Sequence, residues 1–148
     1  MKILAVSSIG GHWIQLLRLM PAFEGAEVEF MSTKQSFSTM VEGKKFHTIP
    51  DGSRWNKYGL VKCFFSILSI VRSSKPNVII TTGAAPGLIA LFVGRMFGIK
   101  TIWVDSIANC EQVSMSGKIA AKIAHIVYTQ WQHLEDEKNV KYRGNVLG

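Results

Sequence analysis

Lys2-Ile3-Leu4-Ala5-Val6 is a nearly unbroken apolar run, the pattern of a strand buried on both faces of a parallel sheet. Ser7-Ser8-Ile9-Gly10-Gly11-His12 follows as a glycine turn, and Trp13 to Met20 reads as a helix stopped by Pro21. Glu27 to Ser32 predicts a second strand whose two acidic residues place one face or one end near water. Thr33 to Phe46 has no clear period and reads as a loop with one helical turn over Ser36–Val41. His47-Thr48-Ile49-Pro50 predicts a short edge strand, because proline donates nothing to a central ladder, and Asp51-Gly52-Ser53-Arg54 is turn material.

Tyr58 to Ser74 predicts a long helix ended by Lys75-Pro76. Its polar positions Lys62, Ser66, Ser69 and Ser73 form one narrow stripe and nearly everything else is apolar. A helix lying on one sheet face needs an apolar arc of a little over about 100°, and this arc is far wider. The expectation is that the 33–54 loop covers the excess. The alternative is a partner or lipid, where Lys57 and Lys62 suit anionic head groups.

Asn77 to Thr81 is a strand, Thr82-Gly83-Ala84-Ala85-Pro86-Gly87 a second glycine turn, and Leu88 to Phe97 an almost wholly apolar helix closed by Gly98. Thr101 to Val104 is the next strand. Asp105 stands at its carboxyl end and opens a polar loop from Ser106 to Ser116. A short helix over 118–124, a strand over 126–129, a partly helical stretch over 131–139 and a turn at Tyr142–Asn145 complete the chain. Strands alternating with helices give an α/β fold: a Rossmann-like, doubly wound parallel sheet with helices on both faces. In such sheets ligands bind at the carboxyl ends of the strands, where strand order reverses. The turns at 8–12, 82–87 and 105–116 are expected to meet on that edge.

Paired glycines let a backbone approach a ligand closely, and a helix start offers free N–H groups to an anion, so a phosphate or pyrophosphate is expected near Gly10–Trp13. The spacing matches neither the dinucleotide nor the P-loop fingerprint, and glycines in such a turn also serve simply to make it tight. A length of 148 residues suits one domain, 1–148, and 47% hydrophobic content suffices for a core. The net charge of +7 favours an anionic partner. The cations are scattered, with no arginine-rich arm and no RNA-recognition signature, which argues against nucleic acid. Cys63 and Cys110 read as reduced thiols, and His47, His125 and His133 have no metal-ligand spacing. Met1-Lys2-Ile3 enters the first strand directly, leaving no room for a signal peptide, and no apolar run reaches the roughly 18–20 residues that span a bilayer.

Three segments, Ser7 to Leu17, Thr81 to Gly87, and Asp105-Ser106-Ile107-Ala108 with Ser114-Met115-Ser116-Gly117-Lys118, resemble motifs of the asparagine-linked glycosylation fourteen family and its bacterial capsule and exopolysaccharide counterparts. Together they run across essentially the whole chain. The resemblance implies the N-terminal half of a GT-B glycosyltransferase, the half that handles a lipid-linked acceptor. It further implies a separate donor-binding subunit resembling the C-terminal GT-B half. The pair would transfer a sugar from a UDP-sugar to a polyprenyl-diphosphate-linked saccharide, with no cofactor and no metal, at the cytoplasmic face of a bacterial inner membrane. The family's eukaryotic members carry an N-terminal membrane anchor without a counterpart in this sequence. Where they tend to have Glu-Ser followed by Arg, this chain has Asp105-Ser106 followed by Asn109. That departure suggests a bacterial member, whose donor sugar is N-acetylglucosamine or a related hexose or uronic acid.

Sugar transfer of this kind needs a base for the acceptor hydroxyl. His12, which ends the glycine turn, is the first candidate, and its alternative is to cap the helix or hold phosphate. Asp105 is the second, and its alternative is to accept neighbouring backbone N–H groups. The acceptor diphosphate is expected at Ser8, Gly10, Gly11, Thr82, Gly83 and Ser106, with Glu111, Ser114, Ser116 and Gly117 on the far loop. Glu111 otherwise faces water, and Ser114 to Gly117 otherwise cap the helix that follows. A non-catalytic phosphate- or nucleotide-binding domain, or a membrane-recruiting scaffold, is the rival reading.

Overall fold

The computed structural model describes residues 1–51, 57–136 and 138–147. Seven strands form one sheet: β1 (Lys2–Val6), β2 (Glu27–Ser32), β3 (Lys45–Thr48), β4 (Val78–Thr81), β5 (Lys100–Val104), β6 (Ile126–Thr129) and β7 (Val140–Tyr142). Every pairing is parallel, and the order is β3-β2-β1-β4-β5-β6-β7. The chain moves outward from β1 to β3, then crosses back to β4 and moves the other way. The switch point therefore lies between β1 and β4, whose register pairs Val6 with Thr81.

Right-handed crossovers dictate where the helices go. Outward movement from β1 puts α1 (Gly11–Arg18) on one face. The return crossing and the two steps after it put α2 (Lys57–Ser74), α3 (Ala85–Met96) and α4 (Met115–Ile123) on the other. Alternation along the strands feeds two cores. Leu4, Val6, Ile79 and Trp103 pack under α2, α3 and α4 with Ile67, Leu91 and Ala120, whereas Ala5, Phe30, Ile80 and Val104 face α1 with Trp13 and Leu16. Among the described residues α1 is the only α-helix on that second face. A hollow of about 500 Å³ lies there, floored by Ile80, Val104 and Tyr128 and rimmed by Arg18, Arg143 and Val146.

Several expectations need correction. The third strand spans 45–48 rather than 47–50. The helices after the second and third turns begin three residues earlier than read, at Ala85 and Met115. Tyr142, expected to open the closing turn, instead ends a seventh strand, Val140–Tyr142, that the sequence reading did not assign. The turn expected at Asp51–Arg54 lies outside the described residues beyond Asp51. Glu29 is 3% exposed instead of facing water. It accepts hydrogen bonds from the Ser74 hydroxyl at 2.7 Å and from His47 at 2.9 Å, with Lys2 Nζ at 3.7 Å. Burial alone would raise this carboxyl's pKa, but those partners outweigh it and hold the pKa below the ordinary value.

The described part of the loop after β2 leaves the outer face of α2 uncovered, although Ile49 joins the core that holds Cys63 and Ile67. Its 3-10 segment, Gln35–Val41, packs on the α1 face, where Phe37 stacks on Trp13 with ring centroids 4.7 Å apart. Tyr58, Val61 and Phe65 on α2 stay 71%, 53% and 60% exposed.

Candidate functional site

Ser8–His12 and Thr82–Gly83 follow the two strands that flank the switch point, and the structure stitches them together. The Ser8 N–H donates to the Gly83 carbonyl at 2.9 Å, and the Thr82 hydroxyl donates to the His12 carbonyl at 2.6 Å. His12 Nδ1 lies 2.8 Å from the Thr82 carbonyl oxygen. A carbonyl only accepts, so Nδ1 carries the hydrogen and Nε2 of the neutral ring keeps its lone pair. Nε2 has no partner among the described residues.

Gly83 makes this approach feasible. Its φ is +122°, and a Cβ there would stand 2.8 Å from His12 Nδ1. On the other side of the histidine, α1 begins without a side-chain cap after Gly10, whose φ is +77°. The N–H groups of Trp13 and Ile14 go to the Gly10 carbonyl, whereas those of Gly11 and His12 have no partner among the described residues. Unbonded amides at an uncapped helix start, beside an imidazole with one open nitrogen, form a surface suited to a phosphate and a nearby hydroxyl.

The loop after β5 reaches the same edge through Gln15, a residue sequence reading passed over as part of a helix face. Gln15 is 8% exposed. Its Nε2 donates to the Ser106 hydroxyl at 3.1 Å, and its Oε1 accepts from the Ile107 N–H at 3.0 Å. Gln130, also buried, donates from Nε2 to Gln15 Oε1 and to the Asp105 carbonyl, and accepts the Val146 N–H at 2.9 Å. A polar residue on the buried face of a predicted amphipathic helix was the available signal for Gln15. Nothing local marked Gln130.

Asp105 is 2% exposed and fully occupied. Its Oδ1 accepts from Trp103 Nε1 at 3.0 Å and from the Ser114 hydroxyl at 2.6 Å. Its Oδ2 accepts the Ser114 N–H at 2.9 Å, and Asn109 Nδ2 stands at 3.4 Å. Ser114 is the N-cap of α4 and accepts the Gly117 N–H at 2.8 Å. Gly117 is needed there because a Cβ would meet Asp105 Oδ1 at 2.7 Å. Thus Asp105, Ser114 and Gly117 build the loop from within, and the Thr82 hydroxyl and Gly83 N–H are also engaged internally. Ser8, Ser106 and Ser116 are half-buried, and Glu111 is exposed on the loop. Among the described residues no group of three or more His, Cys, Asp or Glu side chains is placed to hold a metal ion. No helix of the described residues is long and apolar enough to cross a membrane.

Ser7 and Ser32, at the carboxyl ends of β1 and β2, are buried hydroxyls without a hydrogen-bond partner among the described residues. The Ser7 N–H donates to the Met31 carbonyl, so the register sets the two serines side by side.

Comparison with known proteins bears on the family and the fold. The family model described as "Oligosaccharide biosynthesis protein Alg14 like" matches residues 56–146. The UDP-N-acetylglucosamine transferase subunit ALG14 of Rattus norvegicus is 27% identical over 179 residues, covering 98% of this chain and 82% of that protein. The Mus musculus protein of the same name is 25% identical, covering 99% and 83%. Among solved structures, MurG of Acinetobacter baumannii superposes with a TM-score of 0.77 at 14% identity, over 98% of this chain and 46% of that one. The UDP-GlcNAc 2-epimerase of Methanocaldococcus jannaschii, in complex with UDP-GlcNAc and UDP, gives 0.74 at 16%, over 98% and 47%. The fold is thus the doubly wound one shared by GT-B glycosyltransferases and these epimerases, and the chain spans about half the length of those structures.

Proposed function

This chain belongs to the Alg14-like family of oligosaccharide biosynthesis proteins, and from that premise we propose that it is the acceptor-binding subunit of a two-chain glycosyltransferase. Its partner is a donor-binding subunit that supplies the second half of a GT-B cleft. Together they move a sugar from a UDP-sugar to a polyprenyl-diphosphate-linked saccharide in cell-surface polysaccharide synthesis, on the cytoplasmic face of a bacterial inner membrane. The chain needs no cofactor or metal for this and is inactive alone. Its relatives bear the name of transferase subunits, and it spans about half the length of the GT-B structure it superposes on.

The observation that carries the reading is the His12–Thr82 contact beside the free Gly11 and His12 amides. In this proposal the amides, with Ser8 and Gly10, receive the acceptor diphosphate. His12 Nε2 takes the proton of the acceptor hydroxyl as that oxygen attacks the sugar's anomeric carbon. The bond to the UDP oxygen breaks, and the departing charge is met by the partner subunit. Asp105 acts as a positioning residue: its carboxylate fixes the 105–114 loop, which presents Ser106, Glu111 and Ser116 to the acceptor.

The test is reconstitution of this chain with its partner, a UDP-sugar and a polyprenyl-diphosphate glycan. Transfer by wild type, its loss in His12→Ala, and intact assembly in that variant are expected. Assembly without transfer from any UDP-sugar would favour the scaffold reading instead.

A further inference from the structure

We propose that Arg95, His125 and Lys100 form an anion site at the amino edge of the sheet, built for the phosphate group of a soluble ligand. The three residues come from three elements. Arg95 lies in the last turn of α3, Lys100 opens β5, and His125 immediately precedes β6. All three are exposed, and they sit at the opposite end of the strands from the His12 turn.

The site shows itself as a surplus of donors. Thr101 is fully buried, and its backbone N–H donates to His125 Nδ1 at 3.1 Å. Across the ring, Arg95 Nη1 stands 2.6 Å from Nε2. The imidazole is neutral near pH 7, because desolvation and the charges of Arg95 and Lys100 all hold its pKa below the ordinary value. A neutral ring has one lone pair, and here two donors face it. With the lone pair on Nε2, Arg95 is satisfied and Nδ1–H turns to Thr101 Oγ1 at 3.0 Å, but the buried Thr101 amide loses its acceptor. With the lone pair on Nδ1, that amide keeps its bond and only the exposed guanidinium goes without. An unmet buried donor is the costlier of the two. The second arrangement therefore holds, and it leaves Nε2–H and the Arg95 fork as adjacent donors with no acceptor between them.

The chain supplies no acceptor of its own among the described residues. At the end of α3, the Val93 and Gly94 carbonyls accept from Phe97 and Ile99, and the Arg95 carbonyl accepts from Gly98. No described Asp or Glu pairs with Arg95, Lys100 or His125, and the sequence has no acidic residue between Asp51 and Asp105. A phosphate oxygen set against Nε2 and Nη1 would meet both hydrogens, and the Lys100 ammonium adds a further positive charge. Donors on three separate elements suit a tetrahedral dianion, which can turn an oxygen toward each, better than a flat carboxylate. The site does not depend on the transferase reading.

The test is nitrogen NMR of the histidine rings in the purified full chain, titrated with inorganic phosphate near pH 7.5 while sodium chloride keeps the ionic strength constant. The His125 ring should settle as the Nε2–H tautomer, with half-saturation on the order of 1 mM. The His12 ring reports separately on the transfer site, so the two readings can fail independently. Arg95→Gln should weaken phosphate binding by about tenfold, Lys100→Gln should weaken it less, and Arg72→Gln on α2 should leave it unchanged. His125→Asn, which keeps an acceptor for the Thr101 N–H but loses the Nε2 donor, should weaken binding while unfolding close to the wild-type temperature. Glycerol phosphate in place of inorganic phosphate separates the sources: tighter binding assigns a phosphate carried on a larger molecule, weaker binding the free ion, and either upholds the site. The proposal is overturned if the His125 ring ignores phosphate, if acetate binds as tightly, or if Arg95→Gln binds as wild type does.

Discussion

His12 Nδ1 and the carbonyl oxygen of Thr82 lie 2.8 Å apart, joining the turn after the first strand to the turn after the fourth. That contact fixes the tautomer, and the tautomer decides which nitrogen is free to accept a proton. His12→Ala should lower turnover of the reconstituted pair by about 10²–10⁴-fold, the usual weight of a general base. His12→Gln, which retains a donor for Thr82 but supplies no base, should be nearly as slow while unfolding close to the wild-type temperature. Turnover in both variants and their melting curves check this.

Gly83→Ala tests the same contact from the other side. Its Cβ would fall 2.8 Å from Nδ1 and 2.9 Å from Cε1 of His12, at a φ that disfavours side chains. The imidazole must shift, and a displacement of about 1 Å at a reacting group costs roughly a hundredfold in rate. Gly25→Ala, at φ +85° but in open space, should leave turnover unchanged and serves as the comparison.

Asp105→Asn should behave as a structural lesion. One acceptor oxygen becomes an amide that faces donors, leaving a buried mismatch worth about 1–3 kcal/mol. For a chain of this size that is a fall in Tm of about 2–4 °C per kcal/mol. The pH profile of turnover should keep its shape. Unchanged stability together with loss of the acidic limb of that profile would instead make Asp105 the base.

Glu29 should set part of the acid sensitivity of the fold. Its carboxyl is held below the ordinary value of 4.5 by Ser74, His47 and Lys2 against the opposing effect of burial. A depressed folded pKa means stability that is fully present above the unfolded value and lost as pH falls through the folded one. Glu29→Gln should therefore unfold at a lower temperature than wild type near pH 7. The gap should narrow on acidification below about pH 4.5 and close once both states are protonated. Thermal unfolding at several pH values measures it.

Ser32→Ala should be neutral or stabilising, because the hydroxyl it removes is buried without a partner among the described residues. A gain of up to about 1 kcal/mol is the expected scale, read from denaturant midpoints.

The architecture was legible because period and punctuation agreed: apolar runs at 2–6 and 78–81 closed by glycine turns, and one at 101–104 closed by a polar loop, leave little choice but a parallel sheet. The meeting of three turns on one edge followed from topology alone. What escaped depended on partners distant in sequence. Glu29 looks like a solvent residue until Ser74, 45 positions later, is folded against it. Gln130 acts only through Gln15 and Val146. Val140–Tyr142 is too short to announce a strand and exists because β6 offers it an open edge. The 33–54 loop was expected over α2, whereas its 3-10 segment lies on the opposite face because its length permits either. Trp13, stacked on Phe37, settles the matter. Within the candidate site, the meeting of the His12 turn with Gly83 followed from the topology, whereas the commitment of Asp105 and Ser114 to internal bonds is a property of distances that no motif encodes.

The paired glutamines leave the carboxyl edge without slack. Each amide is already gripped at both its oxygen and its nitrogen, so neither can swivel to greet an arriving molecule unless a buried bond is first broken. Recognition there should resemble a key meeting a rigid lock: the polypeptide around Gln15 stays put, calorimetry registers little ordering of loops, and in the proposed two-chain enzyme any movement is borne by the joint between its halves.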